Sequence, residues 1–411
     1  MRLLWLCNMV PGAVQEEISG KSVSGLWVDH VLSDLRRRDI TIRILCPGSG
    51  VSGSLDENCT YETFSEGLPY VYLPELEKSF GDTLAEFCPN VIHVWGTEYG
   101  HTLAMVNAAE QAGLLDRLAV SIQGLCSVAA RHYAEGIPYN VQKGLTFRDF
   151  VRQDNILAQQ KKFVRRGRLE TEALRKVRHV IGRTDWDLAC TAQIATAAQY
   201  HFCNETLREP FYQGQWGYDF CQKHRIFASS CVYPVKGFHY LIEAFAEVLK
   251  TYPDAVLAVT GKSFLTADPV RRSNYQKYLA NLARKYKIEE KVEFLGRLSA
   301  EEMKAEYLKA NAFVLPSTIE NSPNSLGEAM LLGVPCVAAD VGGVKTMLTH
   351  GEEGLVYQST APYMLAHNIN ALFADRAFAE NLGRQARKHA QETHNSEKNL
   401  QNLLEIYHKF Q

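Results

Sequence analysis

The chain has no run of about 18 uninterrupted apolar residues, so no segment reads as a membrane-spanning helix. It has no Cys-x-x-Cys pair: the ten cysteines are scattered at 7, 46, 59, 88, 126, 190, 203, 221, 231 and 336. That spacing excludes a zinc ribbon and a dithiol redox motif, and it points to buried thiols in a reducing cytoplasm. Neither charge is in excess, with 44 Lys+Arg against 46 Asp+Glu and a net of −2. A globally basic nucleic-acid binder and a disordered acidic chain are therefore excluded, and no nucleic-acid partner is expected. The N-terminal apolar run, MRLLWLCNMV, meets Pro11-Gly12 almost at once. It lacks a small-residue cleavage pattern and reads as a buried first strand rather than a signal peptide. No internal repeat suggests a solenoid.

What is present is an ordinary globular composition, 46% hydrophobic and 22% charged over 411 residues. That length suits two or three domains with a large core. Short apolar runs alternate with helical periodicity, the mark of a parallel α/β protein. Residues 3–10, 41–46 and 91–95 read as strands, and 22–38 between the first two carries a helical stripe of Leu26, Val28, Val31, Leu32 and Leu35. The alternation restarts with a strand at 225–229 and a helix at 238–250. Strands at 255–260, 292–295, 312–315 and 334–338 follow, and Ser299-x-x-Glu302 is a capping box opening one of the helices between them. Residues 208–223, with neither period, are the linker candidate. Two doubly wound domains result: 1–210, with a helix at about 395–411 returning to pack on it, and 211–394.

Residues 143–178 hold 11 Lys+Arg and four acids. A solvated helix face explains that stretch, and so does a surface for peripheral contact with an anionic lipid or a phosphorylated acceptor. Three motif-like strings are set aside. Gly48-Ser-Gly50-Val-Ser-Gly53 fits a dinucleotide fingerprint by letter, but no helix follows, so it reads as a surface loop. Thr260-Gly261-Lys262-Ser263 resembles the end of a P-loop whose first glycine is replaced by Val256. Asp185-Trp186-Asp187 follows a strand-like Val180-Ile181 and opens a helix, where Asp is a common cap rather than a metal ligand.

The informative segment is 316–335, PSTIENSPNSLGEAMLLGVP. A strand ends at Pro316, a polar loop follows, and a short helix starts near Asn324 or Ser325 and ends at Gly333-Val-Pro335. A helix N-terminus after a parallel strand offers unpaired N–H groups and partial positive charge, which suit a phosphate. Glu328 lies in the first turn and would repel a phosphate unless it points sideways, where its two oxygens can accept from a vicinal diol. Glu320, on the other flank, can accept from sugar hydroxyls. The plain alternative is that Glu328 only complements the helix dipole, worth about 0.3–1 kcal/mol.

This segment resembles the Glu, seven residues, Glu signature of retaining glycosyltransferases of the GT-B fold, in the large family four (glycosyl transferases group 1). The similarity runs through the second half, in KGFHYLIEAF, VEFLGRLSAEEM, PSTIENSPNSLGEAM and GVPCVAADVGG, and is weaker in the first half. It implies two Rossmann-like domains facing across a cleft, with the acceptor bound by the first and the nucleotide-sugar donor by the second. Lys236 is similar to the family's lysine on the donor diphosphate, stabilising charge on the leaving group. Glu320 matches the glutamate on the donor-sugar hydroxyls and Glu328 the one on the ribose diol. Asn324, Ser325 and Leu326 would present N–H groups to phosphate and sugar oxygens. Arg297 matches a position that covers the nucleobase face, where a guanidinium can stack. Ser24-Gly25 resembles the Gly-rich loop that approaches the diphosphate from the first domain.

Two positions depart from the pattern. Cys231 stands where the family usually has a second phosphate-binding arginine, with Arg225 or Lys21 as substitutes. Gln123 stands where a histidine is often found near the donor sugar, with His132 a few residues on as a related catalytic group. The resemblance implies transfer of a hexosyl group from a nucleotide sugar, by family habit a UDP-sugar, to a glycan or lipid-linked acceptor. It implies no metal and no cofactor, and a cytoplasmic enzyme of polysaccharide biosynthesis, at the inner face of the membrane if the basic stretch meets lipid. Cys231 and Gln123 motivate the alternative of a catalytically weak nucleotide-sugar-binding subunit that supports a partner enzyme. A glycan phosphorylase of similar architecture is disfavoured because the chain is short for one.

Overall fold

The computed structural model describes residues 1–21 and 27–410. They form two compact units, one of residues 1–130, 162–208 and 394–411, the other of 131–161 and 209–393.

The first unit is built on an eight-stranded sheet, in the order β3-β4-β2-β1-β5-β6-β7-β8. Its strands are β1 (Arg2–Cys7), β2 (Thr41–Pro47), β3 (Ser52–Asp56), β4 (Cys59–Phe64), β5 (Val91–Trp95), β6 (Leu118–Ser121), β7 (His179–Gly182) and β8 (Gln199–Phe202). All pairs are parallel except β3–β4 at the edge. β1 and β5 are apolar and buried almost throughout, as strands covered on both faces must be. Helix Trp27–Arg36 buries Val28, Val31, Leu32 and Leu35 against one face; the N-terminal part of the expected helix, 22–26, lies outside the described residues. Helix Ser396–His408 joins the same core through Leu400, Leu403, Leu404, Ile406 and Tyr407. The Tyr407 hydroxyl lies 2.6 Å from His93 Nδ1 and accepts from Trp5 Nε1 at 3.2 Å, while His93 Nε2 lies 2.7 Å from Ser121 Oγ. That wholly buried chain pins the last helix to three strands.

The second unit has a parallel six-stranded sheet in the order β11-β10-β9-β12-β13-β14. The strands are β9 (Arg225–Ala228), β10 (Val256–Val259), β11 (Val292–Phe294), β12 (Ala312–Leu315), β13 (Cys336–Ala339) and β14 (Leu355–Tyr357). Helix Phe238–Thr251 covers it with Phe238, Leu241, Ile242, Phe245 and Val248. The Ser299–Glu302 capping box is formed, each partner's side chain bonding the other's backbone.

Four expectations are corrected. Residues 48–53 do not all form a surface loop: Gly53 lies in β3, paired antiparallel to β4. Helix Asp185–Ile194 is capped by Thr184, with Asp187 as the reciprocal member of the box. Residues 131–161, assigned by sequence to the first domain, belong with the second unit. There Asp149 accepts from the Asn274 N–H at 2.7 Å, and His239 Nε2 lies 3.0 Å from the Glu135 carbonyl oxygen. Nor is 208–223 a free linker. Phe211 is buried, and Trp216 bonds the Leu332 and Ala310 carbonyls through its backbone and indole N–H groups, both at 2.7 Å.

Candidate functional site

In a doubly wound sheet the strand order reverses once, and the crevice beyond the carboxyl ends of those two strands is the natural ligand site. In the second unit those strands are β9 and β12. The turn after β9 ends in the short 3-10 segment Pro234–Lys236, then Gly237 at φ 61°. A Cβ on Gly237 would collide with the Pro316 carbonyl oxygen just past β12, so only glycine lets the two loops close up. The Thr318 N–H donates to the Val235 carbonyl at 2.8 Å and fixes the register between them.

This closure brings Lys236 Nζ to 2.6 Å from Glu320 Oε1, and Ser317 Oγ donates to the same oxygen at 2.7 Å. The Glu320 backbone is held from behind, its carbonyl accepting from the Gly343 N–H at 3.1 Å. A Cβ on Gly342 would strike that carbonyl. The Lys236 and Glu320 side chains are only 35% and 14% exposed, so the pair is partly shielded from water but open on one side.

Helix Asn324–Leu332 begins beside this pair with Pro323 as its cap and no side-chain bond to its first turn. The Asn324 and Ser325 N–H groups have no intrahelical partner, as at any helix start. The Leu326 N–H, expected to be available as well, already donates to the Pro323 carbonyl at 2.9 Å. Glu328 is buried one turn in, at 2% exposure. The loops after β9 and β12 therefore bring together a lysine, a carboxylate, and a helix N-terminus with its partial positive charge. They can hold an anionic group between Lys236 and the helix, with Glu320 left to accept hydroxyls.

The other expected residues fall as follows. Arg297 is exposed on the loop after β11, beside Gly296, which bridges to Gly261. His132 belongs to the second unit; its Nδ1 lies 2.8 Å from Glu135 Oε2, and its carbonyl accepts from Thr318 Oγ1 at 3.1 Å. Gln123 follows β6 in the first unit, donating to Glu205 Oε1 at 2.5 Å and accepting from Arg183 Nη2 at 3.3 Å. Ser24 and Gly25 lie outside the described residues. Cys231 is buried, and burial pushes its thiol up to about 12, so this position carries no charge. Arg225 is no substitute, because it is buried in ion pairs to Glu293 and Glu306 at 2.5 and 2.8 Å. Lys21 remains exposed. No group of three or more His, Cys, Asp or Glu side chains among the described residues is placed to hold a metal ion.

The first unit reverses its strand order between β1 and β5. There, sequence reasoning missed a cavity of about 170 Å³, lined by Cys7, Asn8, Met9, Trp27, Val28, Trp95, Glu98, Tyr99, Gln123 and Arg166. The available signal was position: Asn8 immediately follows β1, and Glu98 comes three residues after the end of β5. A neighbouring void of about 20 Å³ shares Trp27 and Trp95 and is large enough for one water.

Residues 222–389 match the family model described as Glycosyl transferases group 1. The chain is 30% identical over 160 residues to a putative glycosyltransferase, YtcC, of Bacillus subtilis, covering 38% of each chain. It is 31% identical over 157 residues to a D-inositol 3-phosphate glycosyltransferase of Corynebacterium efficiens, covering 38% of this chain and 36% of that one. The matched regions thus span well under half the length of these relatives. Among solved structures, sucrose-phosphate synthase of Thermosynechococcus elongatus superposes with a TM-score of 0.73 at 18% identity, covering 100% and 99% of the two chains. Anabaena HepE in complex with UDP-glucose gives 0.68 at 18% identity, over 99% of both. At such identities the likeness shows the fold, and that fold is GT-B.

Proposed function

We propose that this chain, whose residues 222–389 form a Glycosyl transferases group 1 domain, is a retaining hexosyltransferase that uses a nucleotide sugar. The observation that carries the proposal is the Lys236–Glu320 pair beside an uncapped helix N-terminus at the switch point of the second unit. A donor diphosphate lies against Lys236 Nζ and the Asn324 and Ser325 N–H groups, which stabilise charge as the sugar–phosphate bond breaks. Glu320 accepts from donor-sugar hydroxyls, and Glu328 accepts from the ribose diol. Arg297 stacks on the base.

The bond from the anomeric carbon to the phosphate oxygen breaks, and the bond to the acceptor oxygen forms on the same face. The acceptor's proton passes to the departing phosphate. This chemistry needs no carboxylate nucleophile of the hydrolase kind. Lys236 and the helix N–H groups supply the positive charge at the diphosphate, so the proposal includes no metal and no cofactor. A UDP donor is favoured by family habit and by the fold shared with HepE, solved with UDP-glucose.

The acceptor is a glycan or lipid-linked glycan, and the setting is cytoplasmic polysaccharide assembly at the inner membrane face. What favours the membrane is a run of exposed apolar side chains at the start of the basic stretch. Leu145, Phe147, Phe150 and Val151 are 61–71% exposed, with Lys143 and Arg152 among them also exposed. Aromatic and basic groups together suit an anionic bilayer surface. Flotation with anionic but not neutral vesicles, lost in a Phe147→Ser, Phe150→Ser variant, is the expected result; equal flotation of the variant refutes this part.

The test of the main proposal is nucleotide release from UDP- and GDP-sugars without acceptor, on wild type and Glu320→Ala. Slow release from one donor, lost in the variant, is expected. Tight binding of one nucleotide sugar without release, even with glycan acceptors, would favour a nucleotide-sugar-binding subunit serving a partner enzyme. The uncharged Cys231 and the engaged amide of Gln123 are what recommend that second reading.

A further inference from the structure

We infer that the cavity at the β1/β5 switch point binds one uncharged pyranose ring of the acceptor, with Glu98 as the residue that reads its hydroxyls. This rests on the transferase proposal for its meaning, and on the geometry of the first unit alone for its content. An engineered cavity of roughly 150 Å³ accommodates a benzene ring, so about 170 Å³ is room for one six-membered ring. Its apolar wall is aromatic. The Trp27 and Trp95 rings meet edge-on at 5.0 Å, and Tyr99 lies among the lining residues. Aromatic faces suit the C–H faces of a sugar, which leaves the equatorial hydroxyls pointing at the rim.

The rim is polar and oriented. Glu98 Oε2 accepts from Asn8 Nδ2 at 2.8 Å and from the Thr97 N–H at 2.9 Å. Asn8 is held in turn, its Oδ1 lying 2.9 Å from His101 Nε2. Glu98 Oε1 lies on the side of Gly124, next to Gln123. Arg166 is fixed by a 2.6 Å bond from its Nε to the Glu98 carbonyl, with its guanidinium 4.8 Å from the Tyr99 ring centre. Trp95 Nε1 is a buried donor without a partner. The lining thus offers a fixed acceptor, cationic donors and aromatic faces, the combination a hydroxyl-bearing ring requires, since each hydroxyl both donates and accepts. Burial raises the Glu98 carboxyl against the pull of Arg166, and Arg166 is already bound through its Nε to the Glu98 carbonyl, so an added phosphate would lose its water to face a buried carboxyl at close range.

Saturation-transfer NMR with methyl glycosides of glucose, galactose and mannose, against glucose 6-phosphate, tests this on the full chain. At least one neutral glycoside should bind, weakening tenfold or more in Glu98→Ala and in Trp27→Ala, while glucose 6-phosphate binds no better than the neutral sugars. Calorimetry with UDP is run on each variant, because its site lies in the second unit. A cooperative thermal transition within a few degrees of wild type shows that a variant is folded, and unchanged UDP binding shows that the donor site stands apart from this inference. Failure of every neutral glycoside, preference for the phosphate, or a Glu98→Ala effect below twofold overturns the inference while leaving the donor site intact. Loss of UDP binding by wild type would instead sink the transferase proposal, and the glycoside result would then stand on its own.

Discussion

Lys236 Nζ and Glu320 Oε1 meet at 2.6 Å although 84 residues separate them in the chain. Each is placed by a turn leaving a different parallel strand, and each has a separate partner in the proposed reaction. Replacing Lys236 by Ala should lower kcat for glycosyl transfer by about 10²–10³, the usual loss of one charge-stabilising group at the reacting centre. The partly exposed ion pair contributes little to stability, so the thermal midpoint should shift by no more than a degree or two. A large fall in midpoint, or kcat within threefold of wild type, contradicts the role given to Lys236.

Gly342 sets the Glu320 backbone from behind. At φ 51° with a carbonyl in the Cβ position, Gly342→Ala must displace the 320 loop. The expected result is loss of nucleotide-sugar binding by at least tenfold with a lowered midpoint. Gly351→Ala is the control, because it imposes the same left-handed strain at φ 80° with nothing within 4 Å. If the two variants bind nucleotide sugar equally, steric support of Glu320 is not the reason for the glycine.

Acid should destabilise the first unit through His93, whose burial holds it down at about 3. Unfolded, a histidine titrates near 6.5. Between those values the unfolded chain carries a proton that the folded chain lacks, so stability is full above 6.5 and falls as pH drops towards 3. The slope approaches about 1.4 kcal/mol per pH unit for one such group. Urea midpoints from pH 6.5 to 4.5 should therefore slope less steeply in His93→Gln. Glu170, pushed by burial up to about 7 from 4.5, acts with the opposite sign above 4.5 and cancels in the comparison. Parallel slopes for the two proteins would refute the assignment.

Tyr407→Phe removes one hydroxyl that serves both His93 and Trp5. Two buried polar groups then lose a partner, which costs about 2–4 kcal/mol. Urea unfolding read by tryptophan fluorescence should show it. A cost under 0.5 kcal/mol would mean that the last helix is held by packing alone.

The strands nearest the middle of each sheet were legible because burial on both faces makes them continuous apolar runs. β3 was not, since an edge strand with Ser and Gly has the letters of a loop. Asp149 and Glu135 show why 131–161 was misassigned: their partners lie more than 100 residues away, and a local pattern carries no trace of such bonds. Glu320 and Glu328 were legible as a pair because they share one strand–loop–helix unit. Trp95 ends β5 and Glu98 follows it, but Trp27 opens one helix and Arg166 lies within another, so they share only the cavity they line. No spacing rule connects them.

The units alternate along the chain, first, second, first, second, first. Neither can be cut out as one stretch, and the hub hydroxyl of Tyr407 is made more than 300 residues after both His93 and Trp5. During translation, then, the second unit has all its residues while His93 and Trp5 still lack their cap. Helix Ser396–His408 acts as the closing stitch, and a chain broken off before it has a first unit with an open core.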